Sequence, residues 1–362
     1  MEKPDFEVLH EIVAPAKAAL SKETWDYLMG AGETEATLER NRIAIDSLAF
    51  RPRVLRNVAN VTTETTFLGH TMRLPVILAP IGSLQDMHPD GVLGPSRAAE
   101  NFGVLHMLSS VAKPGLEDVA KAVPNYPKLF QLYVRGDADW VDERIATAVA
   151  CGYTGVALTV DLDYYGRRER DLAKRYKPTA RRASGGTGTG DPFQAAFSWD
   201  DIKRIRKKCP VPLILKGIAT AEDAILAVEH GVEVVYVSNH GGRQLDHGLG
   251  GIEVLPEVVA AVKGSAKVVV DGGFMRGTDI VKAMALGADA VGLGRLQGLA
   301  LAAGGAGGVV RVLEILETEI IATLGLLGVT SFAELDPRYV TRTSPLVRPM
   351  PFPAFPLLRD GY

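Results

Sequence analysis

Short apolar runs recur through the middle of the chain, each closing on small or polar residues. They read "PVILAP" (75–80), "VLHMLSS" (104–110), "LFQLYV" (129–134), "GVALTVD" (155–161), "PLILKG" (212–217), "VVYVSN" (234–239), "KVVVDGG" (267–273) and "AVGLGR" (290–295). Their apolar positions are continuous and rich in β-branched residues. That pattern predicts strands buried on both faces. Between them lie amphipathic segments of helical length, such as "GLEDVAKAV" and "TAEDAILAVEHG". In the second, Thr220 is placed to cap the helix start and Gly231 to stop it. Eight strand–helix units in succession predict an α/β fold, a (β/α)8 TIM barrel, with 1–362 as a single domain.

Three segments fall outside the repeat. Residues 1–70 read as helical and then irregular, an N-terminal helical extension. The fourth unit carries an insertion, 167–197, basic at first ("RRERDLAKRYKPTARR") and then glycine-rich ("SGGTGTGD"). Its composition suits a mobile lid, since long loops without regular structure are often functional; a disordered surface excursion is the alternative. The tail, 340–362, is rich in proline and cannot continue a helix. It is expected to wrap along the body or a neighbouring subunit.

Composition narrows the classes of function. The chain has 362 residues, 47% of them apolar, a net charge of −3 and a pI near 6.2. There is no basic excess of the kind a nucleic-acid binder carries. Cys151 and Cys209 are too few for a disulfide framework, which points to a reducing, cytoplasmic setting. The first residues carry acids and no long apolar stretch, so no signal peptide is expected. No run approaches the length of a membrane span.

The chemistry gathers where a barrel places its active site, at the C-terminal ends of the strands. Those ends supply Ser109, Gln131, Tyr133, Thr159, Asp161, Lys216, His240, Arg243, Asp271 and Arg295. So polar a set is hard to explain as structure alone. "DGGFMRG" and "GLGR" follow the seventh and eighth strands, where barrels commonly hold a phosphate. Glycine lets backbone N–H groups approach an anion, and Arg276 and Arg295 are placed to neutralise it. His240 has no His or Cys partners at metal-binding spacing, so no metal site is expected. Lys216 inside a barrel requires an anion nearby. A phosphorylated cofactor satisfies that need; a Schiff-base lysine is the competing idea.

From about Trp25 to Leu327 the sequence resembles the FMN-dependent 2-hydroxy-acid oxidases and dehydrogenases, the family of glycolate oxidase, lactate oxidase, mandelate dehydrogenase and hydroxymandelate oxidase. "SNHGGRQLD" (238–246) is nearly the family signature; "WDYLMGAGETEATLERN", "FQLYV", "LKGI" and "DGGFMRGTDIVKAMALGADAVGLGR" match as well. The resemblance implies FMN as cofactor and His240 as the active-site base, oriented by Asp161. It implies that Arg243 and Arg168 grip the substrate carboxylate with help from the Tyr27 hydroxyl. Tyr133 falls near the substrate's 2-oxygen. Lys216 falls beside flavin N1 and O2. Ser109, Gln131, Thr159 and the turn Pro80, Ile81 and Gly82 fall at the flavin ring, and Asp271, Gly273, Gly294 and Arg295 at the ribityl chain and phosphate. It further implies a homo-oligomer, tetramer or octamer, and O2 or another electron acceptor.

Departures from the family pattern carry expectations of their own. Met275 stands where the family usually has an arginine, which predicts weaker FMN binding. Val111 replaces the bulky aromatic of glycolate oxidase, which predicts a substrate larger than glycolate, with an aryl or branched side chain. Gly82 replaces a frequent alanine and leaves more room near the flavin. The insertion is shorter than in many relatives. The expected function is oxidation of an L-2-hydroxy acid to the 2-oxo acid, by hydride transfer or through a carbanion. The alternatives are another enzyme on an FMN barrel and a non-catalytic flavin-binding member. The intact set of Tyr27, Tyr133, Arg168, His240 and Arg243 argues against the latter.

Overall fold

A computed structural model describes residues 4–179 and 191–345. Its centre is a closed barrel of parallel strands: β1 (Val76–Leu78), β2 (Leu105–Ser109), β3 (Leu129–Leu132), β4 (Gly155–Thr159), β5 (Leu213–Ile218), β6 (Val234–Val237), β7 (Lys267–Val270) and β8 (Ala290–Leu293). Each strand pairs with the next in the chain, and β8 closes onto β1 through Val291 opposite Val76. Every strand residue is buried except Gly217 and Lys267. The continuous apolar runs therefore serve two cores. Ile77, Met107, Leu129, Ile214 and Tyr236 belong to a small cluster filling the barrel. Their neighbours along the strands join the larger cluster shared with the surrounding helices. In the helix Ala221–Glu229, the Thr220 side chain accepts from Asp223 N–H and Gly231 sits just past the end at a left-handed φ of 73°, as the sequence predicts.

The irregular end of the N-terminal extension contains a hairpin that pattern reading overlooks. Thr65–Phe67 pairs antiparallel with His70–Met72. Phe67 and Met72, both fully buried, join the cluster inside the barrel. Three-residue strands are too short for an alternation to be legible.

Upstream lie α1 (Val13–Ala19), α2 (Lys22–Met29) and α3 (Ala36–Asp46). α3 begins on a residue whose own side chain does not cap it. Asp246, on the loop after β6, does so instead: its carboxylate accepts from Thr37 N–H at 2.9 Å and Thr34 N–H at 3.0 Å. Burial would raise the Asp246 carboxyl, but these hydrogen bonds hold it well below the usual range. Two polar residues on the buried face of α3 complete the junction. Asn41 exchanges hydrogen bonds with Asn239 and accepts one from Gly251 N–H. Arg42 is gripped by Asp279 and Asp46. The extension is thereby fastened to the loops after β6 and β7, on the face where the polar strand ends collect.

The expected tail enters a strand at once: Val340–Arg342 pairs antiparallel with Leu48–Phe50 in the extension. Residues 346–362 lie outside the described residues. Within the insertion, Glu169–Ala173 and Pro192–Ala195 are helical. Its basic first part is docked: Arg170 forks onto Glu35 at 2.8 and 2.5 Å, and Lys174 pairs with Asp26. The glycine-rich part, 180–190, falls outside the described residues. Among the described residues no helix is long and apolar enough to cross a membrane, and no cluster of His, Cys, Asp or Glu is suited to a metal.

Candidate active site

A cleft opens at the C-terminal ends of the strands. It is lined by most of the residues singled out in the sequence: Tyr27, the Pro80–Gly82 turn, Val111, Tyr133, Arg168, Lys216, His240, Arg243, Asp271, Gly273, Gly294 and Arg295.

His240 sits on a turn that forces its backbone. Its φ is +57°, a left-handed conformation costing of order 1–3 kcal/mol for a residue with a side chain. Asn239 and Ser238 hold it there: the Asn239 side chain accepts from Gly242 N–H, and Ser238 Oγ accepts from His240 N–H at 3.0 Å. Ser238 Oγ also accepts from Lys216 Nζ at 2.8 Å, so one hydroxyl ties the histidine backbone to the lysine. Lys216 Nζ lies 3.3 Å from Asp271 Oδ2.

The imidazole Nδ1 lies 3.0 Å from Asp161 Oδ1. A carboxylate only accepts, so Nδ1 carries the proton and Nε2 keeps its lone pair. Tyr133 OH, 3.3 Å away, donates to that lone pair. Burial pushes the His240 pKa below 6.5; Asp161 opposes the shift, while Lys216 and Arg168 add to it. Burial would raise Asp161, but His240 and then Lys216 hold it below its ordinary value. The result is a neutral imidazole beside an ionised carboxylate. Burial also raises the Tyr27 and Tyr133 hydroxyls, which stay protonated and able to donate.

Asp161 reaches its place because of a glycine. β5 bulges between Lys216 and Ile218, where Gly217 adopts a φ of +120°. A Cβ there would fall 2.7 Å from the Asp161 side chain. The bulge thus admits the carboxylate and aims Lys216 into the barrel mouth.

The arginines form a cationic group, Arg168 buried and Arg243 and Arg295 partly buried. Arg243 donates to the Tyr27 and Gly30 carbonyls at 2.7 and 2.8 Å, with its guanidinium 4.8 Å from the Tyr27 ring. Arg295 donates to the same Gly30 carbonyl and to that of Gly241. Arg168 donates to Gln244 Oε1 at 3.3 Å and lies 5.0 Å from the Tyr165 ring. Burial, with Arg168 close by, pushes Arg243 down to about 10; burial and Arg243 push Arg295 down to about 9. An arginine does not give up its proton in a protein. Such strain is relieved by bringing anions into the cleft.

These donors suit a phosphorylated flavin. Gly294 precedes the helix Arg295–Leu327, whose first N–H groups have no side-chain cap, and a Cβ at Gly294 would meet nothing within 4 Å. An open helix start beside a partly buried arginine is an anion site. Buried Gln131 donates to Thr159 Oγ1 at 2.8 Å and leaves its own Oε1 without a partner.

Some expected residues stand elsewhere. Arg276, anticipated at the phosphate, does not line the cleft; its guanidinium is 2.5 Å from Glu319, which also accepts from Gly277 N–H. The backbone turns it outward as the residue capping the helix Gly277–Ala285, while Met275 faces the cleft. Ser109, Gln131 and Thr159 are buried at the ends of β2, β3 and β4 but do not line the cleft. Other residues contribute without having been singled out: Ser238, Gln244 and Asp246 inside the signature segment, and Asn41 on α3. The trace Asn41 leaves in the sequence is an amide at helical spacing from Leu38 and Ile45.

Residues 16–342 match the family of FMN-dependent dehydrogenases. The chain belongs to this family. Its cofactor is accordingly FMN, and its chemistry is the FMN-dependent oxidation of 2-hydroxy acids. Among its relatives is an L-lactate oxidase of a Nostoc species, 36% identical over 92% of this chain and 97% of that one. Glycolate oxidase 1 of Zea mays is 38% identical over 94% of this chain and 97% of its own. A crystal structure of mandelate oxidase with benzoyl-formic acid superposes with a TM-score of 0.86 at 36% identity, covering 94% of this chain and all of the other. These FMN-dependent relatives differ in the acids they are named for, so family membership leaves the side chain of the substrate open.

Proposed function

We propose that this enzyme oxidises an L-2-hydroxy acid larger than glycolate, bearing an aryl or branched side chain, to its 2-oxo acid. The observation that carries the reading is the pairing of a neutral, partly buried His240 with two guanidiniums in one cleft, Arg168 buried and Arg243 partly buried.

FMN, when bound, supplies the two-electron acceptor. Its phosphate would be held by Gly273, Gly294 and Arg295, and its ring side by the Pro80–Gly82 turn and Lys216. Arg168 and Arg243 bind the substrate carboxylate through charge-assisted hydrogen bonds, and the Tyr27 hydroxyl adds a donor. The clamp fixes which hydrogen of the reacting carbon faces the cofactor. His240 takes a proton from the substrate at Nε2, the nitrogen that carries a lone pair. Asp161 stabilises the resulting imidazolium through Nδ1–H. Tyr133 donates toward the 2-oxygen. Lys216 keeps a positive charge beside the cofactor, where electrons arrive.

Val111 supports the larger substrate. It lines the cleft together with Ile81, Gly82 and Leu162, none of them bulky aromatics. The mandelate oxidase neighbours agree with an aryl side chain, whereas the glycolate and lactate oxidase relatives act on small acids by name.

Anaerobic mixing with a panel of 2-hydroxy acids, followed by loss of flavin absorbance, tests the reading. Aryl or branched acids should exceed glycolate by at least about tenfold in kcat/KM, since each methylene-sized fit is worth about 1–3 kcal/mol. A flat or glycolate-favouring profile refutes the size argument. Re-oxidation of the reduced enzyme by O2 or by a quinone identifies the electron acceptor.

A further inference from the structure

Behind the Val111 side of the cleft lies a second cavity. The two spaces share Val111, Tyr133 and Arg135 as a common wall. Arg135 follows Tyr133 by two residues, just past the end of β3. It is half-buried and, among the described residues, makes no hydrogen bond or ion pair. The other charges of the second cavity balance: Lys113 and Arg144 stand against Glu117 and against Glu143, which lies 3.3 Å from Arg144, so Arg135 is the cation left over.

A half-buried guanidinium beside apolar walls, with no partner of its own, is a receptor for an anion. Arg135 is separate from the clamp. Arg168 is tied to Gln244 and Arg243 to the carbonyls of α2 and the turn after it, whereas Arg135 stands with Val111. A small residue at 111 opens the wall toward this cation instead of only enlarging an apolar pocket. We propose that the side chain of the substrate ends in a second carboxylate, and that Arg135 reads it. The substrate class is thus a 2-hydroxy dicarboxylic acid, with Arg168 and Arg243 on the carboxylate next to the reacting carbon and Arg135 on the distal one. This inference rests on the proposed oxidation of a 2-hydroxy acid larger than glycolate, and gives the enlarged side chain a terminal carboxylate in place of an aryl or branched group.

Matched pairs test it: (S)-2-hydroxypentanoate against (S)-2-hydroxypentanedioate, and the six-carbon equivalents, with (S)-mandelate as a bulky acid lacking a distal charge. The readout is the anaerobic rate of flavin reduction as a function of acid concentration. The parent enzyme should favour the dicarboxylate of at least one pair by about tenfold or more, the range of a charge-assisted hydrogen bond. Arg135→Met should abolish that preference while leaving the monocarboxylates within about twofold, and Arg135→Lys should retain part of it. Equal use of both members of each pair, or a preference that survives Arg135→Met, overturns the inference. Reduction by mandelate or the monocarboxylates without a dicarboxylate preference sinks this inference alone. No reduction by any of these acids overturns the parent reading along with it.

Discussion

The His240 imidazole is held between a carboxylate and a phenol: Nδ1 lies 3.0 Å from Asp161 Oδ1, and Nε2 lies 3.3 Å from the Tyr133 hydroxyl. The carboxylate fixes the tautomer, and in the proposed reaction the phenol faces the substrate's 2-oxygen. If His240 is the proposed base, His240→Ala should abolish flavin reduction and leave FMN bound. A variant reducing flavin within about tenfold of the parent rate would remove His240 from the role of base, which ordinarily contributes about 10²–10⁴-fold.

The pH profile follows from the same pair. Burial depresses His240 below 6.5, and Asp161 is the group that opposes the shift. A base works only when unprotonated, so kcat/KM should fall on the acid side, below that value. Asp161→Asn removes the opposing charge and should move this acid limb to still lower pH. The plateau should drop by about tenfold or more, because the imidazolium formed in the reaction loses its partner. A limb that stays in place in the variant would mean that another group titrates there.

Carboxylate recognition separates Arg243 from a merely structural arginine. Arg243→Met should raise KM and lower kcat, with a loss of at least about tenfold in kcat/KM, as expected for a charge-assisted hydrogen bond. The parent should discriminate sharply against the methyl ester of its best acid, and the variant should not. Equal discrimination by both enzymes would show that Arg243 does not read the carboxylate.

Restoring a large side chain at the wall probes substrate size. Val111→Trp should cut kcat/KM for aryl and branched acids by at least about tenfold relative to glycolate, because added bulk displaces the side chain it faces. The ratio between acids, measured on enzyme of unchanged flavin content, is the deciding quantity.

The buried pair Arg42–Asp279 makes a prediction about stability. Burial alone would raise Asp279, but Arg42 holds it below 3.8. Its contribution is therefore present at neutral pH and is lost as pH falls through the depressed value. Arg42→Met leaves a buried carboxylate unpaired, which costs about 3–5 kcal/mol. Urea midpoints should show that deficit at pH 7. It should shrink toward pH 4, where the stranded carboxylate can take a proton.

Much of this architecture is legible in the sequence, because strands buried on two faces leave uninterrupted apolar runs and a barrel gathers the ends of those runs on one face. His240, Arg243, Lys216 and Asp271 could be placed together on that ground alone. Other features left a weaker trace. Arg276 and Met275 are adjacent in the chain, and only the local backbone decides which of them faces the cleft. The hairpin ending in Phe67 and Met72 is too short to show a period. Asp246 looks like one more loop acid, yet it caps a helix that lies 209 positions earlier at Thr37. Partnerships of that range depend on the whole fold.

Gly30 is the hub of one such partnership, since its carbonyl accepts from both Arg243 and Arg295. The second of these contacts spans 265 residues. A chain emerging from the ribosome therefore exposes Tyr27 and Gly30 long before the arginines that will seat them exist. The barrel strands pair with their nearest neighbours in sequence and can organise progressively, apart from the closing contact. The cleft cannot: its floor is complete only once residues 265 positions apart have met.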